Sequence, residues 1–215
     1  MGRVRYRFGV LGLATVVFTS MPERASGQAA AQAALECFAE ANRAGTLRCD
    51  PNPAISVGEV MLDPDQYPEA LVQEIAQGLQ AMAASDSRRL RIAAANWLAL
   101  KGERSQAHSV KTIDELDEVY FSSQFEDVRM SIASRMHLQL ARSRAISFLE
   151  KAASTSLPEE ERSDWPSSYV AINTLTRMGE EGREALRRLS TAGTVTNPMA
   201  KGYLKHLAAS GFRTS

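Results

Sequence analysis

"SSYVAINTLTRMGEEGREALRRLSTAG", residues 167–193, sets two helical patterns on either side of Gly179-Glu180-Glu181-Gly182. In the first, Ala171, Ile172 and Leu175 fall on one helical face; in the second, Ala185, Leu186 and Leu189 do the same. Apolar residues three and four apart mark the buried side of an amphipathic helix. The Gly-Glu-Glu-Gly segment reads as the break between the two. Nothing in the stretch is chemically reactive, so its use is to pack.

The pattern recurs earlier in the chain. "LRIAAANWL" (90–98) and "VRMSIASRM" (128–136) align without a gap at an offset of 38 residues, and "SSYVAINTL" (167–175) follows 39 further on. The fifth, sixth and ninth places are apolar or small in all three. The seventh holds Asn96, Ser134 and Asn173. Each of these helices is followed by a second apolar-periodic segment: Ile113-Leu116-Val119-Tyr120, Ala145-Ile146-Leu149-Ala153, and Ala185-Leu186-Leu189. Residues 103–112 read as a long linker inside the first unit. A period of about 40 residues with two helices per unit is the pattern of a helical solenoid.

Here the chain resembles the HEAT-repeat family, most clearly in "VAINTLTRMGEEGREALRRL" (170–189). A first helix ending in a hydrophobic residue and glycine, a short polar turn and an "AL..L" helix are similar to the family pattern. The resemblance covers residues 86–195. It departs at Leu140, which stands where the other units have Gly102 and Gly179, and the family's proline in the first helix is missing. The resemblance implies an all-α fold: a short right-handed α-solenoid of helical hairpins whose second helices line a binding surface. An irregular α-bundle of the same helices is the alternative.

Both flanks suit a stacked array. Asn197 and Pro198 open a helix that closes near Gly211, as expected for a C-terminal capping helix. Residues 30–85 form an N-terminal helical cap, in which Pro68 starts a helix with Leu71, Ile75, Leu79 and Met82 on one face. No strand-like alternation of useful length occurs, and the repeats with their C-terminal cap occupy 86–215.

The first 29 residues read as a secretory signal peptide. Arg3, Arg5 and Arg7 precede an uncharged apolar run from Phe8 to Phe18, and Gly27 and Ala29 suit cleavage after Ala29. The run is far shorter than the roughly 20 residues of a membrane span, and no later segment is apolar enough to be one. The expected product is periplasmic or secreted. The full chain balances 25 basic against 25 acidic residues; without Arg3, Arg5, Arg7, Arg24 and Glu23 it holds 21 against 24. A nucleic-acid binder would be distinctly basic, so that class is excluded.

Cys37 and Cys49 are the only cysteines. An even pair in an exported chain reads as a disulfide. Cys37 lies eight residues before the helix-stopping Gly45, about 12 Å back along the axis. Four extended residues return roughly 13 Å. The closed loop would contribute about 3 kcal/mol in the chain-entropy model.

No metalloprotease, nucleophile-elbow, dinucleotide-binding or phosphate-loop motif is present. His108, His137 and His206 are scattered, without the paired spacing of a metal site. We therefore expect no metal, no cofactor and no catalytic residue. The alternative, an enzyme or small-ligand carrier, would need carboxylates brought together by folding.

The outward residues of the second helices form a gradient. The first carries Asp114, Glu115, Asp117 and Glu118, the next Ser147, Glu150 and Lys151, and the third Arg183, Arg187 and Arg188. An acidic end and a basic end would orient a dipolar protein partner. Arg183 and Arg187, one turn apart, suit a carboxylate or phosphate. Trp165, just ahead of a helix, is a candidate anchor. The expected partner-binding set is thus Arg183, Arg187, Arg188, Asp114, Glu118 and Trp165.

Overall fold

A computed structural model describes residues 33, 36, 37, 40, 53–155, 157 and 165–212. Among them every regular element is helical: α1 (Pro53–Leu62), α2 (Glu69–Ala83), α3 (Arg88–Arg104), α4 (Gln106–Ser122), α5 (Glu126–Arg135), α6 (Arg142–Ser154), α7 (Ser167–Thr176), α8 (Gly179–Ala192) and α9 (Pro198–Ala209). Short 3-10 turns occupy Pro64–Gln66 and Met136–Leu138. The fold is all-α. The expected leader, residues 1–29, lies outside the described residues. So does Cys49, and with it the expected Cys37–Cys49 pairing. No described helix is long and apolar enough to cross a membrane.

The helices make two rows. α1, α3, α5, α7 and α9 touch one another in that order, while α4, α6 and α8 touch in parallel to them; hairpin neighbours α3–α4 and α7–α8 join the rows. The aligned residues explain the first row. Ala94, Ala95 and Leu98, then Ile132, Ala133 and Met136, then Ala171, Ile172 and Leu175 are all buried. Small side chains among them let successive helices approach, and each large one buried contributes roughly 1.5–3 kcal/mol. The second row buries Ile113, Leu116 and Tyr120, then Ala145, Ile146, Leu149 and Ala153, then Ala185, Leu186 and Leu189.

Two corners are tighter than the sequence reading. The expected linker over 103–112 is absent: α3 runs to Arg104, and α4 starts at Gln106, with Ser105 the one residue between. Small polar side chains there are buried at the corner and bonded: Ser105 donates to Asp65, and Ser109 Oγ accepts from Ala141 N. The Gly179–Gly182 segment is likewise no break but the first turn of α8, reached from α7 through Arg177 and Met178. A Cβ on Gly182 would collide with the Leu175 carbonyl. Glycine therefore lets the two helices meet at this corner, and Glu180 and Glu181 complement the positive end of α8. α9 follows expectation: Asn197 Oδ1 accepts from Met199 N at 3.0 Å and Ala200 N at 3.2 Å, with Pro198 in the first turn.

Buried arginines fasten the first row. Arg91, 8% exposed, donates to both Asp127 oxygens at 3.1 and 2.7 Å, and to the carbonyls of Ser85 and Asp86 at 2.9 and 2.8 Å. It thus closes the turn after α2 and holds the head of α5. Arg129, 1% exposed, occupies the equivalent place in the next unit, donating to the Ser123 carbonyl at 2.6 Å and to Glu126 at 2.7 Å. The other Glu126 oxygen accepts from Ser167 N at the head of α7.

A buried guanidinium left without its carboxylate costs about 3–5 kcal/mol. Asp127→Ala is therefore expected to lower the urea midpoint by the equivalent of about 3 kcal/mol. Glu184→Ala, at an exposed position on α8, should stay within about 0.5 kcal/mol. Equal effects would remove the special standing of the Arg91–Asp127 clasp.

Candidate partner-binding face

The second row presents α4, α6 and α8, with α2 beside α4, and its charges are braced from helix to helix. Lys111 of α4 donates to Glu69 of α2 at 3.2 Å. Asp114 accepts from Arg144 of α6, and Asp117 from Lys151 at 2.7 Å. Glu150 of α6 accepts from Arg188 of α8 at 2.8 Å. Glu115, read as outward, instead turns inward and accepts from the fully buried Lys101 Nζ at 3.1 and 3.2 Å.

The basic end is compensated within its own helix as well. Arg183 donates to Glu180 Oε2 and Arg187 to Glu180 Oε1, the latter at 3.1 Å. Arg183, and after it Arg187, hold the Glu180 carboxyl below its ordinary value of 4.5. The Glu150 carboxylate holds the Arg188 guanidinium above its ordinary value. The three arginines thus share one surface with their counter-ions already in place. Of the four α4 carboxylates, Glu118 alone has no cation against it among the described residues.

Two depressions interrupt this face. One, of 380 Å³, lies between α4 and α6, with Ile113 and Phe148 in its wall and the Asp114–Arg144 and Asp117–Lys151 pairs along it. Lys151 Nζ also sits 4.0 Å above the Phe121 ring, which packs against Tyr120 and Phe148. The other, of 360 Å³, lies between α2 and α4 and is lined by Gln80, Glu118, Val119 and Phe125 among others.

Trp165 is not brought to this face. It is 56% exposed ahead of α7, its ring edge-on to Tyr169 at 5.2 Å, and Tyr169 in turn lies 4.6 Å from Tyr203 of α9. Tyr203 completes the group by donating its hydroxyl to Asn173 Oδ1 at 3.2 Å. His108 bonds Asp65 at 2.9 Å, and Ser105 donates to the same carboxylate at 2.9 Å, which ties the turn before α2 to the start of α4. His137 lies in the 3-10 turn after α5 and not on that helix. No group of three metal-ligating side chains occurs among the described residues.

Sequence reasoning named Lys151 without its pairing to Asp117, and missed the counter-ions Arg144 and Glu180 and the inward turn of Glu115. A signal existed: Glu150 and Arg188 are opposite charges 38 residues apart, and Arg91 and Asp127 are 36 apart, both near the repeat offset.

The depressed Glu180 carboxyl gives a pH test. Its ion pairs are complete above the ordinary 4.5 and are lost as pH falls through the lower folded value. In a carbon-detected titration Glu180 should lose its charge below the ordinary 4.5. Replacing Arg183 and Arg187 by Gln should return it to the ordinary range. A Glu180 curve unmoved by that change would refute the pairing.

Comparison with family models, curated proteins and solved structures finds no match to this chain.

Proposed function

We propose that this chain is an exported, non-catalytic protein–protein interaction module built as a short HEAT-like solenoid, which receives its partner on the face of α4, α6 and α8. The observation that carries this reading is the packing in two rows, in which each helix from α3 onward contacts its next-but-one neighbour. Stacking of that kind extends a surface in one direction and suits it to a long contact with another protein. An adaptor, an assembly factor and an inhibitor all need such a surface and no reacting group. The paired arginines fit the role in one further respect. Arg183, Arg187 and Arg188 are held in place by Glu180 and Glu150, so a partner carboxylate meets guanidinium groups that have little freedom left to lose.

Export with loss of residues 1–29, and a Cys37–Cys49 disulfide, belong to the same proposal. The mass of the protein recovered from the exported fraction tests both. Loss of the leader and a gain of two alkyl groups only after reduction is the expected result. A full-length mass, or two alkyl groups without reduction, would refute the corresponding part.

The binding face is tested by crosslinking the exported protein in place, beside a variant with Arg183, Arg187 and Arg188 changed to Glu. Helical circular dichroism checks that the variant folds. A partner recovered with the natural chain and lost with the folded variant is expected. Equal recovery would move the interface off this face, and no specific partner in either sample would overturn the interaction-module reading.

A further inference from the structure

The gap between α2 and α4 differs from the rest of the second row. α4 and α6 enclose a 380 Å³ depression of their own, but the charges along it are paired, whereas the 360 Å³ cleft between α2 and α4 has no ion pair along it among the described residues. That volume is at the small end of ligand clefts, roughly 300–1,000 Å³. It is ample for one long side chain.

The chemistry of the cleft is one-sided. Of the α4 carboxylates, Asp114, Glu115 and Asp117 are each held by a cation from α3 or α6. Glu118, which lines the cleft, is exposed and has none among the described residues. Neither α2 nor α4 carries a basic residue in its last turn, so both bring the negative ends of their helix dipoles towards this region without a cation of their own. Arg91 lies beyond the Phe125 ring at 3.8 Å and Arg129 beneath Ser123, but Asp127 and Glu126 already neutralise them. The walls are mixed. Val119 and Phe125 are apolar, while Gln80, Ser122 and Gln124 offer neutral hydrogen-bonding atoms.

We propose that this cleft takes an arginine or lysine side chain from a basic segment of the partner protein, with Glu118 as its counter-charge. The aliphatic stem lies along Val119 and Phe125, as long cationic side chains do on apolar surface. The cationic head meets Glu118 and the neutral polar groups at the rim. An acidic or purely apolar segment would leave Glu118 repelled or desolvated without a partner. The inference deepens the interaction-module reading and rests on it. It assigns the acidic end of the face to a basic contact.

The test uses the whole exported chain, isotopically labelled, titrated with the peptides acetyl-Gly-Arg-Gly-Arg-Gly-amide and acetyl-Gly-Glu-Gly-Glu-Gly-amide. The arginine peptide should shift backbone amides at 80–84 and 118–125 saturably, and the glutamate peptide should not. Glu118→Gln should weaken the arginine peptide about tenfold, because a charge-assisted bond is lost. Glu74→Gln, which changes an exposed carboxylate of α2 outside the cleft, should leave the affinity unchanged. Equal affinity in the Glu118 variant, shifts spread over other surface carboxylates, or equal binding of the glutamate peptide would each overturn the proposal. A partner crosslinked equally by natural chain and Glu118→Gln, with the peptide silent, would sink the cleft but leave the module. Cleft binding of the peptide with no partner captured would do the reverse.

Discussion

The guanidinium of Arg91 is almost wholly withdrawn from water, and it makes four hydrogen bonds. Two go back to carbonyls in the turn that follows α2, and two go forward to the carboxylate at the head of α5. Desolvating such a group is tolerable only when the geometry of all its partners is right. Arg91 therefore fixes where one unit stops and where the next begins. Arg129 repeats the backward half of the arrangement one unit on, and Glu126 carries the forward half to the backbone of α7. The positions of α4, α6 and α8, and so of the candidate face, follow from the spacing these contacts set in the other row.

How much of this the sequence discloses depends on whether the cause is local. The burial of Ala94, Ile132, Ala171 and their companions was legible because one helix face repeats within a few residues. The Asn197 cap was legible because its acceptor and its donors lie within three residues of one another. α1 was not read, since "PAISVGEVML" is apolar around most of its circumference and has no clear periodicity. Residues 103–112 looked like a linker because they hold few apolar side chains, yet Ser105, Ser109 and Thr112 are buried there, the two serines bonded to Asp65 and Ala141, partners distant in sequence. The second place of the repeat, Arg91 and Arg129, was in plain view in the alignment. Its burial was not, because an arginine enters a core only when distant carbonyls and carboxylates converge on it.

The same distinction applies to the face. Its residues were named from the outward positions of three helices, and Asp114, Glu118, Arg183, Arg187 and Arg188 do belong to the second row. The charges were taken as a free gradient, however, and most of them answer one another across neighbouring helices. Which carboxylate finds which cation depends on how the helices are stacked, and single-helix periodicity carries no information about that. Glu118 matters because the pairing passes it over. A partner at the basic end would have to share arginines with Glu180 and Glu150, whereas at the cleft the counter-charge stands uncommitted.

The two rows are held by fasteners of different kinds. Arg91–Asp127 and Glu126–Ser167 work from inside the first row, where mobile ions do not reach. Glu69–Lys111, Asp114–Arg144, Asp117–Lys151 and Glu150–Arg188 work at the water side of the second row, where charge interactions fade over about 8 Å at physiological ionic strength. The exposed pairs are the ones open to screening, and the buried clasps are not. Salt is thus expected to weigh on the ties of the second row more than on those of the first.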